Sequence, residues 1–236
     1  MANRGKLKGK TATREVINRP VRFHKYEQIC LIVCEDEQTE PNYFGQFINF
    51  FPLHTLYIEC IGTGRDALGV IEATISQKKS LEKRAKKEVD FTWAVFDKDS
   101  ADENKAKIKR FTDAFLLAER NAINTAFSNE VFELWLLLHL KSVSHKKPIP
   151  RADIYTDLEN SIRKKEGDST FKYIHGSCEI LEKIKKLGNE QKAIERAMKL
   201  EEKFKDIEPI KANPSTKVHY LIKELRALIT YYNWSE

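Results

Sequence analysis

Ile29-Cys30-Leu31-Ile32-Val33-Cys34, followed at once by Glu35-Asp36-Glu37, decides the fold class. A short, unbroken apolar run rich in strand formers reads as a strand buried on both faces. That is the pattern of a parallel sheet, not the alternation of a sheet with one wet face. A second such run, Phe91-Thr92-Trp93-Ala94-Val95-Phe96, ends just as abruptly in Asp97-Lys98-Asp99. Between the two, Pro41 suits the first turn of a helix carrying Tyr43, Phe44, Phe47, Ile48 and Phe51. Residues 56–61 read as another strand, Gly62-Thr63-Gly64 as a turn, and 66–87 as a charged amphipathic helix.

After the Asp-Lys-Asp, a helix carrying Ile108, Phe111, Phe115 and Leu116 precedes a strand at 122–127. Ser128-Asn129 reads as a turn with helix-capping chemistry, and 131–140 as a strongly apolar helix. This alternation predicts a doubly wound α/β core with a mainly parallel sheet of about four strands flanked by helices. The rest reads as helical, with segments at 152–165, 178–187, 190–204 and 216–231. The expected organisation is a basic N-terminal arm over 1–25, an α/β core over 26–145, and a helical C-terminal region over 146–236 packed on that core.

The 236 residues suffice for one large domain or for a core with an appendage. With 41% hydrophobic and 32% charged residues, the chain should bury a real core beneath a heavily charged surface. No apolar run approaches the ~20 residues a membrane helix needs, and no apolar leader follows the basic start, so no membrane is expected and the cytoplasm is the expected compartment. Cys30, Cys34, Cys60 and Cys178 match no zinc spacing. The net charge of +6 favours a polyanionic partner. Arg4, Lys6, Lys8, Lys10, Arg14, Arg19 and Arg22 crowd the arm, either to grip phosphates or to solubilise the chain. Gly5, Gly9, Lys10 and Thr11 do not make a P-loop, because the spacing is short and no strand precedes them.

Ligands of open parallel sheets bind beyond the carboxyl ends of the strands. Glu35 follows the first strand, while Asp97 and Asp99 follow the third. In an extended chain, residues two apart point the same way, so Asp97 and Asp99 can share a direction. Carboxylates gathered there would repel one another unless a divalent cation joined them, and hard oxygen donors suit Mg²⁺ or Mn²⁺. Taken singly, each acid is also what a wet loop or a helix first turn would hold. Glu40 opens the next helix and is either such a residue or a further ligand. Glu133 lies in the first turn of a helix apolar on nearly every side, where an unpaired carboxylate is costly, which favours a place in the metal site.

Ile32-Val33-Cys34-Glu35, Thr39-Glu40-Pro41-Asn42-Tyr43-Phe44, Val95-Phe96-Asp97-Lys98-Asp99, Ser128-Asn129-Glu130-Val131-Phe132-Glu133-Leu134-Trp135-Leu136-Leu137-Leu138-His139 and Asn213-Pro214-Ser215-Thr216-Lys217-Val218-His219 resemble, in this order, the blocks of RloB-like proteins. The resemblance covers most of the chain between residues 29 and 228. RloB-like proteins in turn resemble the Toprim domains of overcoming-lysogenization-defect nucleases and abortive-infection systems. This implies a Toprim-like fold, Mg²⁺ on Glu35, Asp97 and Asp99, and an ATPase partner of the ABC or SMC type. The family usually has Gly after its first Glu, where this chain has Asp36.

The expected activity is metal-dependent hydrolysis of phosphodiester bonds, in phage defence by family analogy. Its acids would be Glu35, Asp97 and Asp99, with Glu40 or Glu133 completing the shell, and its cation Lys217 or Lys98. Ser215, Thr216 and Arg65, the last beside the 62–64 turn, join Lys98 and Lys217 as candidate nucleic-acid contacts. Ser215 also reads as a helix cap, and the 62–64 turn as a plain connection. DNA and tRNA both remain open as substrates, and a homodimer is compatible with the sequence. The competing reading is a non-catalytic module that docks nucleic acid or an ATPase. A covalent topoisomerase needs a strand-passage domain and a primase needs a zinc module; neither is evident here.

Overall fold

The apolar run at Ile29 lies in β1 (Gln28–Cys34). Parallel to it on one side runs β2 (Leu56–Gly62), and on the other β3 (Phe91–Asp97). β4 (Asn124–Asn129) continues the parallel sheet, and β5 (Ser215–Thr216) closes that edge antiparallel to β4. The strand order is β2-β1-β3-β4-β5. The computed structural model describes residues 21–99 and 101–234, so Arg4, Lys6, Lys8, Lys10, Arg14 and Arg19 of the basic arm lie outside the described residues.

Both faces of the sheet are covered, which explains the unbroken apolar strands. Ile29, Leu31, Val33, Ala94, Phe96 and Phe127 face one cluster with α2 (Ala67–Ala85) and α3 (Lys105–Arg120). Cys30, Ile32, Cys34, Trp93, Val95 and Ala126 face the other. That side holds α1 (Thr39–Gly45), α4 (Glu133–Leu140), α5 (Arg151–Glu166), α6 (Glu179–Leu187), α7 (Glu190–Lys203) and α8 (Val218–Trp234). The eight residues of α4 are all buried, so α4 is the central pillar on which the C-terminal helices rest. The C-terminal region therefore shares one apolar core with the sheet and also supplies its last strand. The architecture is a Toprim-like α/β fold with a mostly parallel sheet and flanking helices.

Three local expectations are corrected. Ser128 and Asn129 are not a turn but the buried end of β4, because the Ser128 hydroxyl and the Asn129 amide nitrogen both find hydrogen-bond partners inside the protein. Ser128 Oγ lies 3.0 Å from Thr216 Oγ1, and Asn129 Nδ2 donates to the Pro209 carbonyl (3.0 Å). Ser215 is not a helix cap; it lies in β5 and its hydroxyl donates to the Ala212 carbonyl (2.5 Å). The expected sheet of about four mainly parallel strands is present, and β5 adds a short fifth, which a two-residue polar segment gives no apolar pattern to announce. The helix around Pro41 also ends at Gly45 and passes into a 3-10 segment, Gln46–Phe50, which leaves Ile48 exposed. Among the described residues, no helix is long and apolar enough to cross a membrane.

Candidate metal centre

Strand order sets the location. β2 pairs with one side of β1 and β3 with the other, so the winding direction reverses between β1 and β3, where ligands bind in sheets of this kind. Glu35 leaves β1 at that point, its N–H donating to the Val95 carbonyl (2.9 Å). The N–H of Asp97, the last residue of β3, donates to Glu35 Oε2 (2.9 Å). The two acids predicted from separate strand ends are thus joined by one hydrogen bond.

The chain after Glu35 turns sharply. A Cβ on Gly62 would lie 2.5 Å from Glu37 Cα and 2.6 Å from the Asp36 carbonyl oxygen, so only glycine lets the segment pass. Asp36 and Glu40 then exchange capping bonds. Asp36 Oδ2 accepts from the Thr39 N–H (2.5 Å), and Glu40 Oε2 accepts from the Asp36 N–H (3.2 Å). Asp36 therefore organises the start of α1. The exchange swings Glu40 inward, where it is 1% exposed. From the opposite side, the Phe132 N–H, just before α4, donates to Asp97 Oδ2 (3.0 Å). Glu133 follows, 2% exposed, gripped by the Tyr173 hydroxyl and lying 3.3 Å from His175 Nδ1.

Two buried carboxylate oxygens, Glu40 Oε1 and Asp97 Oδ1, have no hydrogen-bond partner among the described residues. Such atoms are costly in a folded protein. Burial, then the facing charges of Glu40, Glu35 and Glu133, push the Asp97 carboxyl well above the usual carboxylate range. Burial, then Glu35, does the same to Glu40. Burial pushes Glu35 up to about 7 despite the amide of Asp97. Without a cation, the cluster therefore favours protons at neutral pH.

Among the described residues, no three carboxylate, imidazole or thiol groups form a ready-made cage. Mg²⁺ seldom takes one: it usually accepts one or two carboxylates and keeps water or substrate phosphate in its other positions. Glu40 and Asp97, with orphaned oxygens, and the adjacent Glu35 fit that donor set. They are the residues that could hold Mg²⁺ or Mn²⁺.

The other candidates stand further out. Asp99 has a left-handed backbone (φ 47°), which breaks the alternation expected from Asp97, and its carboxylate pairs with Arg151 of α5. It still lines, with Glu35 and Asp97, a cleft of about 140 Å³. Lys98 also lines this cleft but is 5% exposed, with its Nζ 2.8 Å from both Asp102 and Glu130. Lys217 is held by Glu201 of α7 and lies over the Tyr220 ring, beyond β4. Ser215 and Thr216 are buried in β5, two strands from Asp97. The N–H groups of Thr63 and Gly64 donate to the carbonyls of Cys34 (3.0 Å) and Glu35 (2.8 Å), so that turn connects β2 to α2 without free amides at those positions. Arg65 beside it is exposed.

Sequence reasoning missed Arg151, Tyr155, Tyr173 and His175, which come from α5 and the loop after it. The sequence trace is a run of rings, Phe171, Tyr173 and His175, in the connection after α5. Burial, then Glu133, pushes the Tyr155 phenol up to about 12.

A comparison with models of protein families matches residues 30–225 to the family described as RloB-like protein. No curated protein and no solved structure matches the chain.

Proposed function

The chain belongs to the RloB-like protein family, and from that premise we propose a Mg²⁺- or Mn²⁺-dependent nuclease that hydrolyses phosphodiester bonds at the Glu35–Asp97 cleft. The observation that carries this reading is the pair of orphaned oxygens, Glu40 Oε1 and Asp97 Oδ1, among mutually repelling acids at the sheet's switch point. A bound divalent cation would polarise the phosphoryl oxygen, lower the pKa of a water and stabilise the leaving oxygen. Glu35, Glu40 and Asp97 would hold it. The amides of Asp97 and Phe132 fix the orientation of the Glu35 and Asp97 carboxylates. Tyr173 and His175 anchor Glu133 at the inner wall. Arg151, drawn to the site by Asp99, is a cation that would meet a phosphate once a metal takes up the acids' charge.

Cleavage of plasmid DNA, single-stranded DNA and total tRNA by wild type and Asp97→Ala, with Mg²⁺, Mn²⁺ or chelator, tests the proposal. It predicts cutting that disappears with the substitution or the chelator; cutting that survives both would overturn it. By family analogy the nuclease serves phage defence together with an ATPase of the ABC or SMC type. An operon transplant that leaves phage sensitivity unchanged would count against that role. A second reading, a non-catalytic nucleic-acid- or ATPase-binding module, draws support from the pairing of Asp99 with Arg151. It predicts that Asp97→Ala leaves binding intact and that no cutting appears even with the ATPase present.

A further inference from the structure

Every cation the sequence pointed to around the cleft, except Arg65, is already matched by an acid. Lys98 is matched by Glu130 and Asp102, and Lys217 by Glu201. The structure adds Arg110, matched by Asp66, and Arg151, matched by Asp99. The floor of the cleft is itself acidic. A polyanion approaching this face gains little from charge alone, so binding energy must come from something else nearby. What stands nearby is aromatic. The rings of Tyr155 and Tyr173 lie 5.1 Å apart at 37°, and those of Tyr155 and His175 6.1 Å apart at 39°. All three are partly open to solvent, with Lys172 exposed beside them.

This rim is rigid and tied to the acids. The Tyr173 hydroxyl and His175 both hold Glu133. The Tyr173 N–H donates to Glu159 Oε2 of α5 (2.9 Å), and Arg163 Nε donates to the carbonyl of the buried Phe171 (2.7 Å). Rings fixed in advance stack at small entropic cost. A base presents a π-face whatever its sequence, but a duplex hides those faces between neighbouring pairs.

We propose that Tyr155, Tyr173 and His175 form a stacking platform for unpaired nucleobases, so that the substrate of this cleft is a single-stranded or unpaired segment of nucleic acid. This rests on the nuclease reading for the position of the scissile phosphate, but the platform has its own readout in binding. Fluorescence anisotropy with labelled oligonucleotides, in Ca²⁺ to screen the acids, compares single strands, duplexes of the same sequence and strands carrying abasic sites. DNA and RNA versions show which sugar is preferred.

Wild type is expected to bind the single strand more tightly than the duplex. Tyr155→Ala is expected to weaken single-strand binding about tenfold and leave the duplex nearly unchanged. Tyr155→Phe keeps the ring and the affinity. The abasic strand should bind wild type as weakly as the intact strand binds Tyr155→Ala. Equal loss on duplex and single strand, or an abasic strand that binds as well as the intact one, overturns the platform. If Tyr155→Ala does not fold, the abasic comparison on wild type decides alone. Repeating the titration on Asp97→Ala separates the two ideas. A base preference that persists there while no variant cuts keeps the platform and sinks the nuclease; cutting that is indifferent to pairing and to Tyr155 does the reverse.

Discussion

At the scale of the residue, Asp97 is in a contradictory position. One carboxylate oxygen accepts from the Phe132 amide while the other is buried and unpartnered, and Glu35, Glu40 and Glu133 all face it. If cation binding is the reason for this arrangement, the metal-free protein should be strained by it. Asp97→Asn removes a carboxyl that ionises in the unfolded chain but must take up a proton on folding, and should stabilise the metal-free protein by about 1–2 kcal/mol near neutral pH. Urea unfolding in chelator measures this, and a destabilised variant would contradict it. The same reasoning fixes a pH dependence. Glu35 is pushed up to about 7 in the folded protein, above the ~4.3 of an unfolded Glu. Between those values the folded state holds more protons than the unfolded state, so stability falls as pH rises. The contribution of Glu35 is complete below ~4.3 and is lost as pH passes its folded value of about 7. Thermal melts across that window should show the decline in chelator and its flattening in Mn²⁺. A decline unaffected by Mn²⁺ would place its origin elsewhere.

At the scale of the element, the end of β4 and the segment around β5 form one joint. Asn213 Nδ2 donates to Glu130 Oε1 (2.9 Å), its Oδ1 accepts from the Ile149 N–H (2.9 Å), and Glu130 in turn holds Lys98. Asn213→Ala would strip these bonds, and that of Nδ2 to the Ile149 carbonyl (3.2 Å), from a buried position and should cost about 2–3 kcal/mol, read as a shift in urea midpoint. A loss below a few tenths would show the joint to be incidental. This joint also marks the limit of what the sequence discloses. β1 and β3 are legible because burial on both faces makes them uniformly apolar. Ser128, Asn129, Ser215 and Thr216 are polar residues that read as turn and cap, and only their mutual hydrogen bonding across a sheet edge makes them strand. Glu35 and Asp97 are legible because they end apolar strands. The orientation of Asp99 is not, because one left-handed residue undoes the alternation. Tyr173 and His175 could not be assigned to Glu133 from sequence, since nothing local ties a loop after α5 to the first turn of α4.

At the scale of the whole molecule, α4 binds the sheet and the C-terminal helices into one core. Trp135 is fully buried there, and its Nε1 donates to the Tyr43 hydroxyl (2.9 Å). Trp135→Ala should cost about 3–5 kcal/mol. Helical circular dichroism and tryptophan fluorescence should then still report one shared transition, because the C-terminal helices have no core apart from the one they share with the sheet. Two separated transitions would mean that the C-terminal helices form an independent unit. This single core positions the site: the sheet supplies Glu35 and Asp97, α1 supplies Glu40, and the helices behind supply Glu133, Arg151 and the aromatic rim.

The central claim is that the buried acids exist to hold a divalent cation, and calorimetric titration of chelator-treated protein with Mn²⁺ tests it most directly. Near neutral pH, wild type should bind saturably and release protons, since the cation must displace those that Glu35, Glu40 and Asp97 retain. Asp97→Asn should show neither effect. Binding without proton release, binding equal in the variant, or no binding to folded wild type would contradict the account.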